Sequence, residues 1–235
     1  MFRTIVFSAF GAGIAVCLSV SALQSFTTEP LILHAEEFEG QAPVAHDHGA
    51  AMSALAPEAN MPVAAEPWTP ADGLERIAFT VLANLVVGVA ASLMLLGFMV
   101  LKGDLIDARR GLLWGIGGFI AASLLPSLGL PPELPGTPAG EILARQSWWV
   151  ATAIASAGGI GLLVFGRRWW LMGLGLVLVV APHIIGAPVP PSEDVSYPGA
   201  LAGEFVVASM AVSLTLWGMA GLASGWLHQR LSANA

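Results

Sequence analysis

The chain is divided by six apolar stretches that contain no Asp, Glu, Lys or Arg. They cover residues 4–24, 77–101, 111–130, 147–165, 169–189 and 205–227. Each is long enough to cross a hydrocarbon layer of ~30 Å as a helix that rises ~1.5 Å per residue. Lipid offers no hydrogen-bond partners to an open backbone, which favours helices. We therefore predict an all-α, polytopic transmembrane helical bundle with six spans.

The basic residues indicate how such a bundle is oriented. If the stretches cross the membrane alternately, seven of the nine Lys and Arg residues fall on one side. These are Arg3, Lys102, Arg109, Arg110, Arg167, Arg168 and Arg230. Arg76 and Arg145 fall on the other side, with fourteen of the sixteen acidic residues. Because positively charged loops stay in the cytoplasm, we predict that both termini are cytoplasmic and that the acidic face is external.

Composition excludes several other classes of protein. Hydrophobic residues make up 56% of the chain and charged residues 11%, which leaves too little chain outside the spans for a soluble domain of ordinary size. The net charge of -7 disfavours nucleic acid as a partner. The single cysteine, Cys17, has no second thiol with which to form an internal disulfide. The first stretch also resembles a cleaved signal peptide, but its length favours a retained helix.

Three regions follow from this pattern. Residues 1–24 hold the first transmembrane helix, residues 25–76 form a long acidic external loop, and residues 77–235 hold the rest of the transmembrane bundle. The loop is rich in Ala, Pro and Glu and has few aromatic residues. Such a segment buries too little apolar area to offset the cost of ordering its backbone. We therefore expect most of the loop to be mobile.

Small and aromatic residues within the spans predict packing. Gly221 and Gly225 are four residues apart, which places them on one face of a helix and favours close contact with a neighbour. Tryptophans lie near the ends of several spans, among them Trp148 and Trp149. An indole at such a position places its ring in the acyl boundary and its N–H among headgroups, so we interpret these residues as membrane anchors.

Three histidines of the external loop, His34, His46 and His48, lie among acidic residues. Neutral imidazole is a common ligand of divalent late first-row metals, and the triplet His46-Asp47-His48 is able to close around such an ion. The chain has no metal motif of fixed spacing here. The alternative is therefore a solvated loop whose histidines bind no metal.

His183 is the one histidine inside an apolar stretch, toward the external end of the fifth. An ionisable group there is costly unless it has a partner or faces a polar cavity. The carboxylates of Glu133, Glu141 and Glu204 are candidate partners at the same depth, and together these residues predict an anionic vestibule that draws in cations. The alternatives are a purely structural histidine, and an ion pair from Glu204 to Arg145 that ties two helices together.

Several catalytic motifs are missing from the sequence. It contains no GxxxxGK[ST] phosphate loop, no GxSxG nucleophile motif and no HExxH zinc motif, and no nucleophile–base pair can be assigned. We therefore predict that the chain is not an enzyme, and we predict no firm cofactor.

Several segments together carry a family resemblance. They are Phe2-Arg3 before the first stretch, the acidic histidine-bearing loop, LPPELPG at 130–136, RQSWW at 145–149 and PHIIGAP at 182–188. Over nearly its whole length the chain resembles the CbtA family of proposed cobalt transporter subunits. The resemblance implies a bacterial inner-membrane protein that takes up cobalt for cobalamin synthesis with a small single-span partner, CbtB, which carries a histidine-bearing end. Members are described with five spans, so five is the alternative to six.

With this resemblance, the leading hypothesis is a permease subunit that admits Co²⁺, or Ni²⁺, from the periplasm. The loop histidines would raise the local ion concentration, and His183 with Glu204, Glu133 or Glu141 would form the entry site. The alternative is a non-transporting membrane scaffold whose external loop binds a metal or a partner protein.

Overall fold

The computed structural model describes residues 2–39, 68, 70–71, 73–103, 105–190, 192 and 194–233. These residues form helices and connecting segments, and the described part of the chain contains no strand. The elements are α1 Phe2–Phe26, α2 Thr28–Glu39, α3 Leu74–Lys102, α4 Ala108–Phe119, a π-helical turn Ile120–Leu124, α5 Leu125–Ser127, α6 Ile142–Phe165, α7 Trp169–Ile185 and α8 Gly199–Ala233.

Four of these helices, α1, α3, α6 and α8, are long and apolar enough to cross a membrane. The 17-residue α7 is a shorter apolar helix. The predicted all-α fold is therefore confirmed in the described residues, which include four candidate membrane spans. The count of six spans and the cytoplasmic position of both termini stay predictions. We call the end of the bundle where α1 ends and α8 begins the outer end, after the predicted orientation.

The third predicted stretch is helical but departs from a single regular α-helix. α4 passes directly into the π-helical turn, where the Leu125 amide donates to the Ile120 carbonyl five residues earlier. Pro126 follows at once and has no amide hydrogen to donate to the turn before it. The fifth stretch also differs from the prediction of 169–189, since α7 ends at Ile185. Gly186 stops it with a φ of 88°, a left-handed conformation that favours glycine.

Helices α1, α3, α4 and α8 form the main hydrophobic core, which includes Val16 of α1, Leu96 of α3 and Trp217 of α8. Their backbones approach closely at glycines. A Cβ atom on Gly221 would collide with the Gly111 carbonyl oxygen of α4, and a Cβ atom on Gly225 would collide with backbone of the residue that caps α4. The predicted contact face at Gly221 and Gly225 is confirmed.

α6 and α7 form a hairpin that joins this core through α6, which packs against the π-helical turn and α5. Gly159 of α6 and Gly175 of α7 meet closely, because a Cβ atom on either would lie 2.7 Å from the carbonyl oxygen of the other. The two helices of the hairpin are therefore in close contact at these glycines. Of the two, α6, which carries Trp148, is the helix that contacts the rest of the bundle.

α2 lies within the predicted external loop of residues 25–76, where no helix was expected. Its Ala35 is buried in a cluster at the outer end that we call the outer cap: Ala35, Leu134, Tyr197, Leu201 and Phe205. An ion pair between Glu36 Oε1 and Arg76 Nη2, at 2.7 Å, ties α2 to the start of α3. Residues 40–67 of the predicted loop lie outside the described residues.

Candidate functional site

His183 lies on the last turn of α7, and its Nε2 atom is buried without a hydrogen-bond partner among the described residues. The imidazole meets the indole of Trp148 from α6 edge to face, with ring centroids 6.1 Å apart and planes at 70°. The indole Nε1 of Trp148 is also buried and has no partner in the described part of the chain. Two buried nitrogen atoms without partners therefore belong to one pair of touching rings.

Both rings line a cavity of about 430 Å³, which we call the outer cavity. Its walls are Leu128, Gly129, Trp148, His183, Ala187, Pro188, Val189 and Pro190. It therefore lies where α5 ends, α6 begins and α7 gives way to the following loop. The wall is mostly apolar, and its polar side chains are the imidazole and the indole.

Local sequence explains why the chain leaves space here. Pro182 has no amide hydrogen, so the Leu178 carbonyl one turn earlier loses its usual donor. Gly186 then turns the chain away from α7 into the segment that walls the cavity. Gly129 is needed on the opposite wall, because a Cβ atom there would collide with the Trp148 ring and lie 3.1 Å from the Ala187 Cβ.

Two of the predicted carboxylate partners have structural contacts. Glu133 Oε2 accepts a hydrogen bond of 2.5 Å from Arg145 Nη2, in a pair whose side chains are 27% and 22% exposed. Glu141 caps the N-terminus of α6, where its two oxygens accept from the Leu143 amide at 3.0 Å and the Ala144 amide at 2.6 Å. An acceptor at this position satisfies amides that have no partner in the first helical turn.

Glu204, the third carboxylate, is exposed on the first turns of α8. The ion pair considered between Glu204 and Arg145 is not formed, because Arg145 contacts Glu133 instead. Within the described ranges, no three His, Cys, Asp or Glu side chains are grouped closely enough to hold a metal ion. The structure therefore brings His183 together with Trp148 and not with the predicted set of carboxylates.

The loop histidines divide into two groups. His34 is exposed on α2, where its ring lies 5.4 Å from the Phe38 ring. His46 and His48 lie outside the described residues, so their metal binding stays a prediction.

Trp148 is the site residue that sequence reasoning missed, because a tryptophan near a span end was interpreted as a lipid anchor. The neighbouring Trp149 is exposed, whereas Trp148 is turned inward. A signal was present in the sequence: Thr152 and Ser156 follow Trp148 at intervals of four residues, which places three polar side chains on one face of a helix.

The comparisons with known proteins give one match. A model of the CbtA family, described as "Probable cobalt transporter subunit (CbtA)", matches residues 2–229. Neither a curated protein nor a solved structure matches the chain. The family match covers nearly the whole chain, including the outer cavity and its walls. The chain therefore belongs to the CbtA family of probable cobalt transporter subunits.

Proposed function

We propose that this chain is the membrane-embedded subunit of a cobalt uptake system and that Co²⁺, or Ni²⁺, enters at the outer cavity. The observation that carries this proposal is His183, whose ring lines the outer cavity and whose buried Nε2 atom has no hydrogen-bond partner among the described residues. A buried polar atom left unpaired costs about 1–3 kcal/mol of folding free energy, so its presence here requires an explanation. Binding of a ligand by this nitrogen is the explanation that we propose.

The size of the outer cavity fits a hydrated ion. Six water molecules at about 30 Å³ each occupy roughly 180 Å³, which is well below the cavity volume of about 430 Å³. The cation is therefore able to enter with its water and then exchange one molecule for imidazole, a ligand suited to late first-row metals. The indole N–H of Trp148, which has no partner among the described residues, would donate to one of the remaining waters.

The acidic residues act differently from the ligands that the sequence suggested. Glu133 and Glu141 are engaged with Arg145 and with the start of α6. Their role in our proposal is to hold the walls of the cavity and to add negative potential that attracts cations. Glu204 and the three loop histidines, His34 included, would raise the cation concentration near the entrance.

The wider setting belongs to the same proposal. Seven of nine basic residues fall on one side of an alternating six-span path, which supports cytoplasmic termini and entry from the periplasm of a bacterial inner membrane. The family description calls its members subunits, which supports a partner, and we propose the small single-span CbtB type. Cobalamin synthesis would use the cobalt, and the chain itself would have no enzymatic activity.

Replacement of His183 tests the function directly. His183→Ala should reduce uptake of radiolabelled cobalt about tenfold or more in cells that depend on this system, since it removes the metal-binding nitrogen. The matched control is Ile184→Ala, because the neighbouring Ile184 side chain is 80% exposed and does not line the cavity. A stably inserted His183→Ala variant that takes up cobalt at the normal rate would remove His183 from the mechanism.

Purified chain in vesicles separates transport from simple capture. Vesicles that enclose a metal-sensitive dye should report Co²⁺ entry when the chain, with its partner subunit, is present. Binding of Co²⁺ without any entry, whether the partner subunit is present or absent, would instead support a metal-binding scaffold.

A further inference from the structure

Three side chains on one face of α6 extend inward from the outer cavity: Trp148, Thr152 and Ser156, which we call the polar face. The four-residue intervals stack them on the same side of the helix. At ~1.5 Å per residue, Ser156 lies about 12 Å deeper than Trp148. The polar face therefore begins at the ring pair with His183 and continues toward the middle of the bundle.

The hydroxyls of the polar face lack the partner that most helical hydroxyls of this protein have, as does the buried hydroxyl of Ser92 on α3. Both Thr152 and Ser156 are completely buried, and their oxygen atoms have no hydrogen-bond partner in the described residues. A helical Ser or Thr normally donates to the carbonyl one turn earlier. Ser19 does so to Ala15 at 2.5 Å, and Thr215 does so to Ala211 at 2.9 Å.

The surroundings of the polar face are also specific. α6, the helix that carries the polar face, packs against the π-helical turn Ile120–Leu124. π-helical turns occur frequently at functional sites. Within this turn, the Ser123 hydroxyl accepts a hydrogen bond of 3.2 Å from Trp217 Nε1 of α8. Gly159 is the next residue on the same face of α6. It meets Gly175 of α7 so closely that no space remains between the two helices at this level, beyond Ser156.

We propose that the polar face lines the route by which the divalent cation moves from the outer cavity to the middle of the membrane, an inference that rests on the proposed transport function. The Thr152 and Ser156 hydroxyls bind the water around the ion, and the ion itself after partial dehydration. Polar groups inside a membrane bundle mark ion pathways. Both hydroxyls are buried in this structure, so the route opens only when α6 separates from the helices packed over this face.

Thiol labelling tests whether water reaches the polar face. The chain has one cysteine, so Cys17→Ala gives a background without thiols. In it, Thr152→Cys and Ser156→Cys should react with a charged, membrane-impermeant thiosulfonate added to the outer side. The control is Ile154→Cys, since Ile154 is 68% exposed on the apolar surface of α6. It should not react, because a thiolate does not form in lipid. Equal reactivity at 152, 154 and 156, or none at 152 and 156, would overturn the inference.

Cobalt flux gives a second, independent measurement. The double variant Thr152→Val, Ser156→Ala should carry Co²⁺ into dye-loaded vesicles about tenfold more slowly, while Ser19→Ala with Thr215→Val should leave flux unchanged. Normal flux through the first double variant would refute the route, although the transport function would stand. Absence of flux through the unmodified chain with its partner would refute the transport function, and thiol reactivity would then decide alone whether the polar face is wetted.

Discussion

At the scale of single residues, the ring pair of His183 and Trp148 decides what the outer cavity is able to bind. The imidazole has a nitrogen lone pair to offer when neutral, whereas the indole N–H is a donor only. In the proposed function, a metal cation would therefore be bound through the histidine, and the tryptophan would act on water molecules of the ion. Because the rings touch edge to face, displacing the indole changes the position of the imidazole as well.

Gly129→Ala is a test of that coupling. The added Cβ atom would collide with the Trp148 ring, so we expect the indole to shift and cobalt uptake to fall several-fold, although no metal-binding atom is removed. Gly161→Ala is the control, since a Cβ atom on Gly161 has no neighbour within 4 Å. Uptake is measured with radiolabelled cobalt at matched protein levels. Equal uptake by the two variants would show that the position of the indole is unimportant.

The contact between Glu133 and Arg145 gives a second prediction. If Glu133 serves mainly as the partner of Arg145, Glu133→Gln, Arg145→Gln and the double variant should lower the unfolding midpoint by similar amounts. The expected coupling is about 0.5–1 kcal/mol, as for partly exposed ion pairs. A double-mutant cycle in detergent measures this coupling. If Glu133 were a metal ligand, Glu133→Gln would abolish uptake while Arg145→Gln would leave it normal.

The sequence predicts some residues of the candidate site and not others. His183 was identifiable because an ionisable side chain in an apolar stretch needs a specific environment. Its partners were not, since Glu133 is held by a residue twelve positions away and sequence gives no distance between loops. The capping role of Glu141 has a local signal in the sequence, because an acidic residue just before a helix is a favourable N-cap.

At the scale of helices, close packing of α4 and α8 depends on the absence of side chains at facing glycines. Gly221→Ala should push the helices apart, because its Cβ atom would collide with the Gly111 carbonyl oxygen. We expect a loss of about 1–3 kcal/mol, as in overpacked cores. Gly218→Ala is the control, with only ordinary contact to Leu112 at 3.9 Å. Thermal unfolding in detergent measures the difference, and equal midpoints would contradict this account of the interface.

Helix prediction succeeded where stability comes from local composition and failed where it comes from distant contacts. The long apolar helices were found because hydropathy alone defines them. α2 was missed because Ala35 packs against residues from two later loops and Glu36 pairs with Arg76, forty positions away. The early end of α7 had a readable signal in Gly186, which lies inside the apolar stretch.

At the scale of the whole molecule, the predicted topology makes both termini cytoplasmic. A fluorescent protein fused to either end should fluoresce, and alkaline phosphatase fused there should be inactive, because each folds on one side only. Phosphatase fused after Val195, between α7 and α8, should be active. Reporters that place the two termini on opposite sides would show an odd number of spans and would contradict six.

α8 is the longest of the described helices. Its 35 residues make it roughly 52 Å long, against a hydrocarbon layer of about 30 Å. Leu201 and Phe205 at one end belong to the outer cap, and Gly225 near the other end touches the backbone of Asp107. The helix contains no proline to act as a hinge. A tilt of such a straight helix by about 5° around one end would displace the other end by about 4.5 Å, so a rearrangement of the outer cap would move the residues that contact Asp107.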